Sequence, residues 1–424
     1  LFLKTSYNLF IEVKNDERRY ILKEGGLQMN NFLDENFSIT GEKDASKLWS
    51  DLKYFSDHTH SIVVNPPCLH IFSVFHCKKA GLEAAVFKPD YIDLRLIAPE
   101  NPSQLYFSRP NNNIGLLPYE NFKKSGMADS QIEDIKNAGY FLQYVQDGQA
   151  LTLVPSKALF ATLCKKVGVG KLNQGIDPIR DLYLASRLRT AKPFQIVYRS
   201  NENAMKAFCC FSPRYQLEPQ TVALEIKEAL EHYTRVSVKD WSLNHFISKV
   251  NFLFSSCAFQ YNNMQICPGV QFSLSDVGDS SYVLQSMISV NEAVILLDQT
   301  KMQRHGEEFN AQEFAQQFFY KYYSKLELFT DFLKQAQKIK VASAGDPTEQ
   351  LFKKLNKTAF GLKKFEQFRC GYQIHQGDGN LLDSLCNIMK IPQFIKNTSN
   401  TCVYEAVSRD VGSILYQFYR NSEH

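Results

Sequence analysis

Apolar positions recur along this chain with two periods. Ser61–Val64, Leu69–Phe75, Ala84–Phe87 and Tyr91–Ile97 are short alternating runs, broken by Pro66-Pro67, Gly81, Pro89 and Pro99. A period of two between such breakers predicts strands. Asp44–Phe55 has the other period: Leu48, Leu52 and Phe55 share one side of a helix that Asp44 or Ser46 caps. Asn101–Pro118 is rich in Pro and Asn and reads as a loop or a domain seam. Asp129–Ala138 is a helix stopped by Gly139. Tyr140–Val145 and Ala150–Val154 form a hairpin about Asp147-Gly148, a pair suited to a type I′ turn. Pro155 opens a helix over Ser156–Val167, ended by Gly168. Asp177-Pro178 starts another, to about Arg189, with Ile179, Leu182 and Tyr183 on its apolar face and Arg180, Arg187 and Arg189 outside.

The stretch Phe194–Tyr215 is the centre of the pattern. Phe194, Ile196 and Tyr198 alternate with Gln195, Val197 and Arg199; Ser200–Asn203 is turn-forming; Ala204–Phe211 returns as a second strand. This hairpin brings Arg199, Lys206 and Arg214 near one another on a small sheet, where a charged, solvated edge would also resist aggregation. Pro219–Tyr233 is a helix with Val222, Ile226, Ala229, Leu230 and Tyr233 on one stripe. Val236–Val238, Phe246–Phe254, Ile266–Leu274, Tyr282–Val290 and Ala293–Leu297 read mostly as strands, with helix an option for the second. In Asn310–Val341, Phe314, Phe318, Tyr322, Leu326, Phe329, Leu333, Ala336 and Ile339 recur every three or four residues, behind a capping-box pair Asn310 and Glu313. As one continuous helix it would be about 48 Å long. Thr348–Phe368, Leu381–Met389 and Tyr404–Tyr419 are further helices.

These elements predict an α+β protein: a mixed, mainly antiparallel β core flanked by helices, with a helical C-terminal region. The predicted regions are 29–150, 151–309 and 310–424. Residues 1–28 read as translated leader, because Glu24-Gly25-Gly26 can be encoded by a bacterial ribosome-binding sequence placed to initiate at Met29.

Composition narrows the classes. With 424 residues, 32 Phe and 21 Tyr, the chain has ample material for buried cores and is unlike a disordered one. A net charge of +4 does not by itself announce a nucleic-acid partner. Ten cysteines without a CxxC pair or a regular framework fit reduced thiols in a cytosol. No apolar run is long enough to span a membrane, and no signal peptide is visible. The expected location is the cytoplasm of a bacterial cell.

Three kinds of chemistry compete. His58, His60, Cys68, His70, His76 and Cys77 are the densest group of metal-ligand types, although no pair has a standard zinc spacing; His58, His60, His70 and His76 are the weak metal candidates, and ordinary surface or packed histidines are the plainer account. Basic residues beside aromatics can hold phosphates and stack bases, which makes Arg199, Lys206, Arg214, Tyr215, Lys363 and Lys364 the nucleic-acid candidates, against a solvated helix face or sheet edge. The stripe Phe314–Ile339 suits a core or a homo-oligomer contact. Gly168–Lys171 lacks phosphate-loop spacing, and His375–Asn380 has too few oxygens for a calcium loop. No catalytic motif and no cofactor fingerprint is present, so no cofactor is expected.

The order DPIRDLYLA (Asp177–Ala185), VYRSNENAMKAFCCFSPRY (Val197–Tyr215), GVQFSLSDVGDSSYVLQSMISVNEAVIL (Gly269–Leu296) and RHGEEF (Arg304–Phe309) resembles the phage/plasmid-like proteins carrying domain of unknown function 932, over about residues 150–340. That resemblance implies a home on phages, prophages or plasmids and no particular reaction. The reading that follows is a mobile-element accessory protein that binds DNA or RNA. The alternatives are a metal-dependent enzyme using the His58–Cys77 cluster and a phage structural or assembly protein.

Overall fold

The strands gather into two sheets, mixed and mainly antiparallel, with helices packed on them: an α+β protein, as the sequence predicts. The computed structural model describes residues 32–75, 85–87, 117–118, 129–146, 149–170, 178–201, 204–211, 219–261, 264–275, 281–304, 309–341, 345–355, 380–396 and 401–422. In chain order, β1 (Ser38–Glu42) and α1 (Ala45–Asp57) precede β2 (Thr59–Val64), β3 (Leu69–Phe75), β4 (Ala85–Phe87) and β5 (Leu117–Pro118). Then come α2 (Asp129–Ala138), β6 (Tyr140–Gln146), β7 (Gln149–Pro155), α3 (Lys157–Lys166), α4 (Pro178–Leu188), β8 (Phe194–Asn201), β9 (Ala204–Phe211) and α5 (Pro219–Glu231). A run of strands follows: β10 (Val236–Asn244), β11 (Ser248–Phe254), β12 (Phe259–Tyr261), β13 (Met264–Leu274), β14 (Ser281–Val290) and β15 (Ala293–Arg304). The last described helices are α6 (Ala311–Phe318), α7 (Ser324–Gln335), α8 (Pro347–Leu355), α9 (Leu381–Lys396) and α10 (Thr401–Ser422).

The first sheet has the order β1-β10-β11-β13-β14-β15, with β12 beside β13 and every pair antiparallel. It curls. Lys239, at a bulge in β10, donates through Nζ to the carbonyls of Glu292 and Ala293 at 3.0 Å each, on the β14–β15 turn. Three strand spacings in a flat sheet are about 14 Å, beyond a lysine's reach. One face carries Trp241, Leu243, Phe252, Phe272 and Leu284 into the larger core, shared with α1, α5 and the C-terminal helices. The register also aligns a polar row Asp240, Asn251, Gln271 and Gln285 across four strands. Asn251 Nδ2 donates to Asp240 Oδ1 at 2.5 Å, and Gln271 Nε2 to Asn251 Oδ1 at 3.0 Å.

The second sheet has the order β2-β8-β9-β7-β6-β3-β4-β5 and one parallel pair, β7 with β9. It also curls: β2 and β3 lie five strands apart in this order yet are joined by only Asn65–Cys68. Five spacings would be about 24 Å if flat, more than that link can span. The sheet packs with α3 and α4 around a second core of Leu142, Leu153, Leu159, Leu163, Leu184 and Ile196. This core uses strands on both sides of residue 150, and the β6–β7 hairpin crosses it, so the expected boundary there does not coincide with a structural one.

Local signals act as read. Asp44 accepts from Lys47 N at the start of α1, Ser156 from Leu159 N at α3, and Asn310 from Glu313 N at α6. Gly139, at φ 75°, closes α2. One expectation is corrected: residues 310–341 are not one regular helix, because Phe319–Tyr323 form a π-helical turn and Ala336–Lys338 a 3-10 turn. Of the two roles the stripe suits, Phe314, Phe318, Phe329, Leu333 and Ala336 take the first, buried in the larger core. Among the described residues no helix is long and apolar enough to cross a membrane.

The outer edge of the first sheet is covered by α10. Tyr404 Oη accepts from Val294 N at 2.8 Å, Ser408 Oγ accepts from Leu296 N at 3.1 Å and donates to Val294 O at 2.6 Å. Two side chains thus replace a missing strand. Gly412 permits this approach: a Cβ there would lie 1.9 Å from the Leu296 carbonyl oxygen. Gly412→Ala should destabilise the fold by about 1–3 kcal/mol in chemical denaturation, as overpacking does, whereas Gly170→Ala, with open space around it, should change little.

A candidate site above a buried charge network

The β8–β9 hairpin forms where expected, but its basic residues face inward. A bulge shifts the register between Val197↔Cys209 and Tyr198↔Ala207, so Phe208 is the extra residue of β9. Arg199 pairs directly opposite Lys206, and both are buried, at 0 % and 1 % exposure. Two like charges opposite one another in a sheet repel, and each is held by groups from elsewhere in the chain. Arg199 Nη1 donates to the His245 carbonyl at 3.0 Å and to His245 Nδ1 at 2.5 Å, and Nε donates to Thr59 Oγ1 at 3.2 Å. Its guanidinium also lies over the rings of Phe55 and Phe208. Lys206 Nζ donates to Asp134 Oδ2 at 2.6 Å, with Glu35 Oε1 at 3.9 Å. The expectation that Arg199 and Lys206 form an exposed phosphate grip is therefore corrected: both charges are spent inside the protein.

His245 sits in the β10–β11 turn among the rings of Phe32, Phe37 and Phe208. Because Arg199 is a donor only, Nδ1 accepts and the ring is neutral. Burial first, and the Arg199 charge second, push the His245 pKa down to about 3.

Over this network lies a cavity of about 330 Å³, lined by the Asp34–Asn36 segment, α2, the start of β6, the β7–α3 junction and Arg180 of α4. Glu35 Oε1 accepts from the Lys157 backbone N–H at 2.8 Å, at the first position of α3, and Oε2 lies 3.8 Å from Lys157 Nζ. Arg180 is ion-paired with its neighbour Asp181 and lies over the rings of Tyr140 and Phe160. Tyr140 is 2 % exposed, and its hydroxyl has no hydrogen-bond partner among the described residues. Burial raises its pKa, and the Arg180 charge opposes that only in part. The thiols of Cys210 and Cys386 are pushed up to about 12 by burial, unsuited to nucleophilic work at neutral pH.

The described histidines of the predicted cluster have other placements. His58 Nδ1 lies 2.8 Å from the Tyr54 carbonyl, closing α1, and His60 Nε2 lies 2.8 Å from Ser200 Oγ. Burial and then the neighbouring His58 lower the His60 pKa. His70 sits in β3 opposite Gln143. Among the described residues no three His, Cys, Asp or Glu are placed to hold a metal ion. His76, Cys77, Arg214, Tyr215, Lys363 and Lys364 lie outside the described residues.

An exposed basic and aromatic group lies at the C-terminal half of α4. On α4, Tyr183 is 40 % exposed and the Arg187 guanidinium lies 5.3 Å over its ring, with Nη2 donating to the Tyr183 hydroxyl at 3.1 Å. Arg189 and Lys192 follow, both exposed. The sequence placed Arg180, Arg187 and Arg189 on the outer face of this helix and Tyr183 on its apolar face; Arg187 and Arg189 are exposed, but Arg180 is buried beside Asp181 and the rings of Tyr140 and Phe160, and Tyr183 is exposed.

Comparison with protein-family models, curated proteins and solved structures finds no match to this chain.

Two stability predictions follow from the network. Between pH 6.5 and about 3 the unfolded chain protonates His245 and the folded chain does not, so the stability this histidine contributes is complete above pH 6.5 and falls as pH drops towards 3. Urea titrations should give a slope of about 1.4 kcal/mol per pH unit from this group inside that window, absent in His245→Gln. Asp134→Asn should cost about 3 kcal/mol or more by leaving Lys206 buried without its main partner. Lys206→Met should cost less in the same denaturation assay, because the Asp134 side chain is 32 % exposed and stays hydrated.

Proposed function

We propose that this chain is an accessory protein of a mobile genetic element that binds nucleic acid through the outer face of α4. The observation that carries the reading is Tyr183 with Arg187 laid on its ring, with the exposed Arg189 and Lys192 just past the C-terminal end of the helix. An exposed ring can stack on a base, and guanidinium and ammonium groups beside it can neutralise phosphates without sequence preference. The positions 180, 183 and 187 share one side of a helix, so the stripe runs from the cavity at Arg180 outward to Arg187. The motif order over residues 150–340 supplies the genetic context, and the net charge of +4 is compatible with a polyanionic partner.

The test is fluorescence anisotropy with single- and double-stranded DNA and RNA at several salt concentrations. Salt-sensitive binding to one of them is expected. The triple variant Arg187→Ala, Arg189→Ala, Lys192→Ala should lower the affinity and reduce the log–log salt slope by about two for a single strand. Tyr183→Ala should weaken a single strand by about 1–3 kcal/mol. Binding to no nucleic acid, or an unchanged slope in the triple variant, would sink the proposal.

A further inference from the structure

We infer that the cavity beside Tyr140 is a binding site for a small molecule carrying one oxyanion, and that the Glu35 carboxylate fills the oxyanion position in the unliganded chain. The site is independent of the outer face of α4 and would stand if that face bound nothing.

Around the cavity Asp134 is ion-paired with Lys206, and Asp181 with Arg180. The N-terminal end of α3, ten residues long, and the Lys157 ammonium both face the Glu35 carboxylate. A carboxylate accepting a first-turn N–H, with two ammonium groups 3.8 and 3.9 Å away, has the arrangement that a bound carboxylate or phosphate would adopt. Ser156 already caps the Leu159 N–H, so the helix end does not depend on Glu35 alone. The Glu35 side chain is 18 % exposed and can turn towards solvent.

Tyr140 gives the second, separate indication. A buried hydroxyl without a partner costs about 1–3 kcal/mol, and this one belongs to a residue that lines the cavity. Held protonated by burial, it is a donor for a ligand oxygen. The volume of about 330 Å³ admits a small metabolite or the end of a strand and excludes a duplex. Asp34, an exposed carboxylate in the lining, disfavours a polyanion, which is why one oxyanion is assigned.

Isothermal titration of the full chain with inorganic phosphate and with acetate tests this. Glu35→Gln should bind one of the two anions at least tenfold more tightly than the wild type, since the internal competitor is gone. Tyr140→Phe should weaken that anion about fivefold, both in the wild type and beside Glu35→Gln, without lowering the melting temperature. A 5′-phosphorylated trinucleotide against its 5′-hydroxyl form separates a strand end from a free anion: preference for the phosphorylated form assigns the strand end, and equal, weak binding of both assigns the free anion. Equal affinity in the wild type and Glu35→Gln, or no effect of Tyr140→Phe in the wild type, would overturn the inference.

Discussion

Two cations buried opposite one another across β8 and β9 set the terms for the structure around them. Neither Arg199 nor Lys206 reaches water, and each would be very costly there alone. Each therefore fixes a distant part of the chain. Arg199 holds the His245 turn, which joins β10 to β11, and so binds the second sheet to the first. Lys206 holds Asp134 of α2 and draws in Glu35 from the segment before β1. A buried ion pair is weak support for stability in itself, but breaking one side is severe. The arrangement thus specifies which segments meet more than it adds to the overall free energy of folding.

The same clamp produces the cavity. With Asp134, Glu35 and Lys206 fixed by one another, the start of α3 and the Arg180–Asp181 pair are brought to the same place, and Tyr140 is enclosed beside them. Ionisable groups concentrated like this are uncommon in an apolar core and are characteristic of functional sites. Elsewhere polar groups have evident structural duties. Lys239 ties the curled first sheet to its own β14–β15 turn. Tyr404 and Ser408 cover the edge of β15. Around the cavity, the Tyr140 hydroxyl has no hydrogen-bond partner among the described residues.

Much of the secondary structure was legible because its signals are local. Asp44, Ser156 and Asn310 cap the helices they precede, the strands read on either side of the two expected turns pair with each other, and Asp129–Ala138 is bounded as read. Strand length was read less well: β10 and β15 continue through Asp240, Asn244, Gln299 and Lys301, where polar residues interrupt the apolar pattern, because ladder pairing and the polar row extend them. Of the candidate site, Arg199 and Lys206 were singled out for the right position and the wrong environment. Glu35, Asp134, Tyr140 and His245 carried no signal, since they come from three separate parts of the chain and share no motif spacing.

The sequence by itself determined the α+β class, the central hairpin and the helix starts, because propensity, capping and period act within a few residues. Only the tertiary structure decided that Arg199 and Lys206 of the hairpin turn inward and that Phe314, Phe318, Phe329, Leu333 and Ala336 of the stripe are core. Which face of a strand meets water depends on register, and the single bulge at Phe208 changes it between one end of the hairpin and the other. Burial, and with it the meaning of every charge, is fixed by what packs across the sheet.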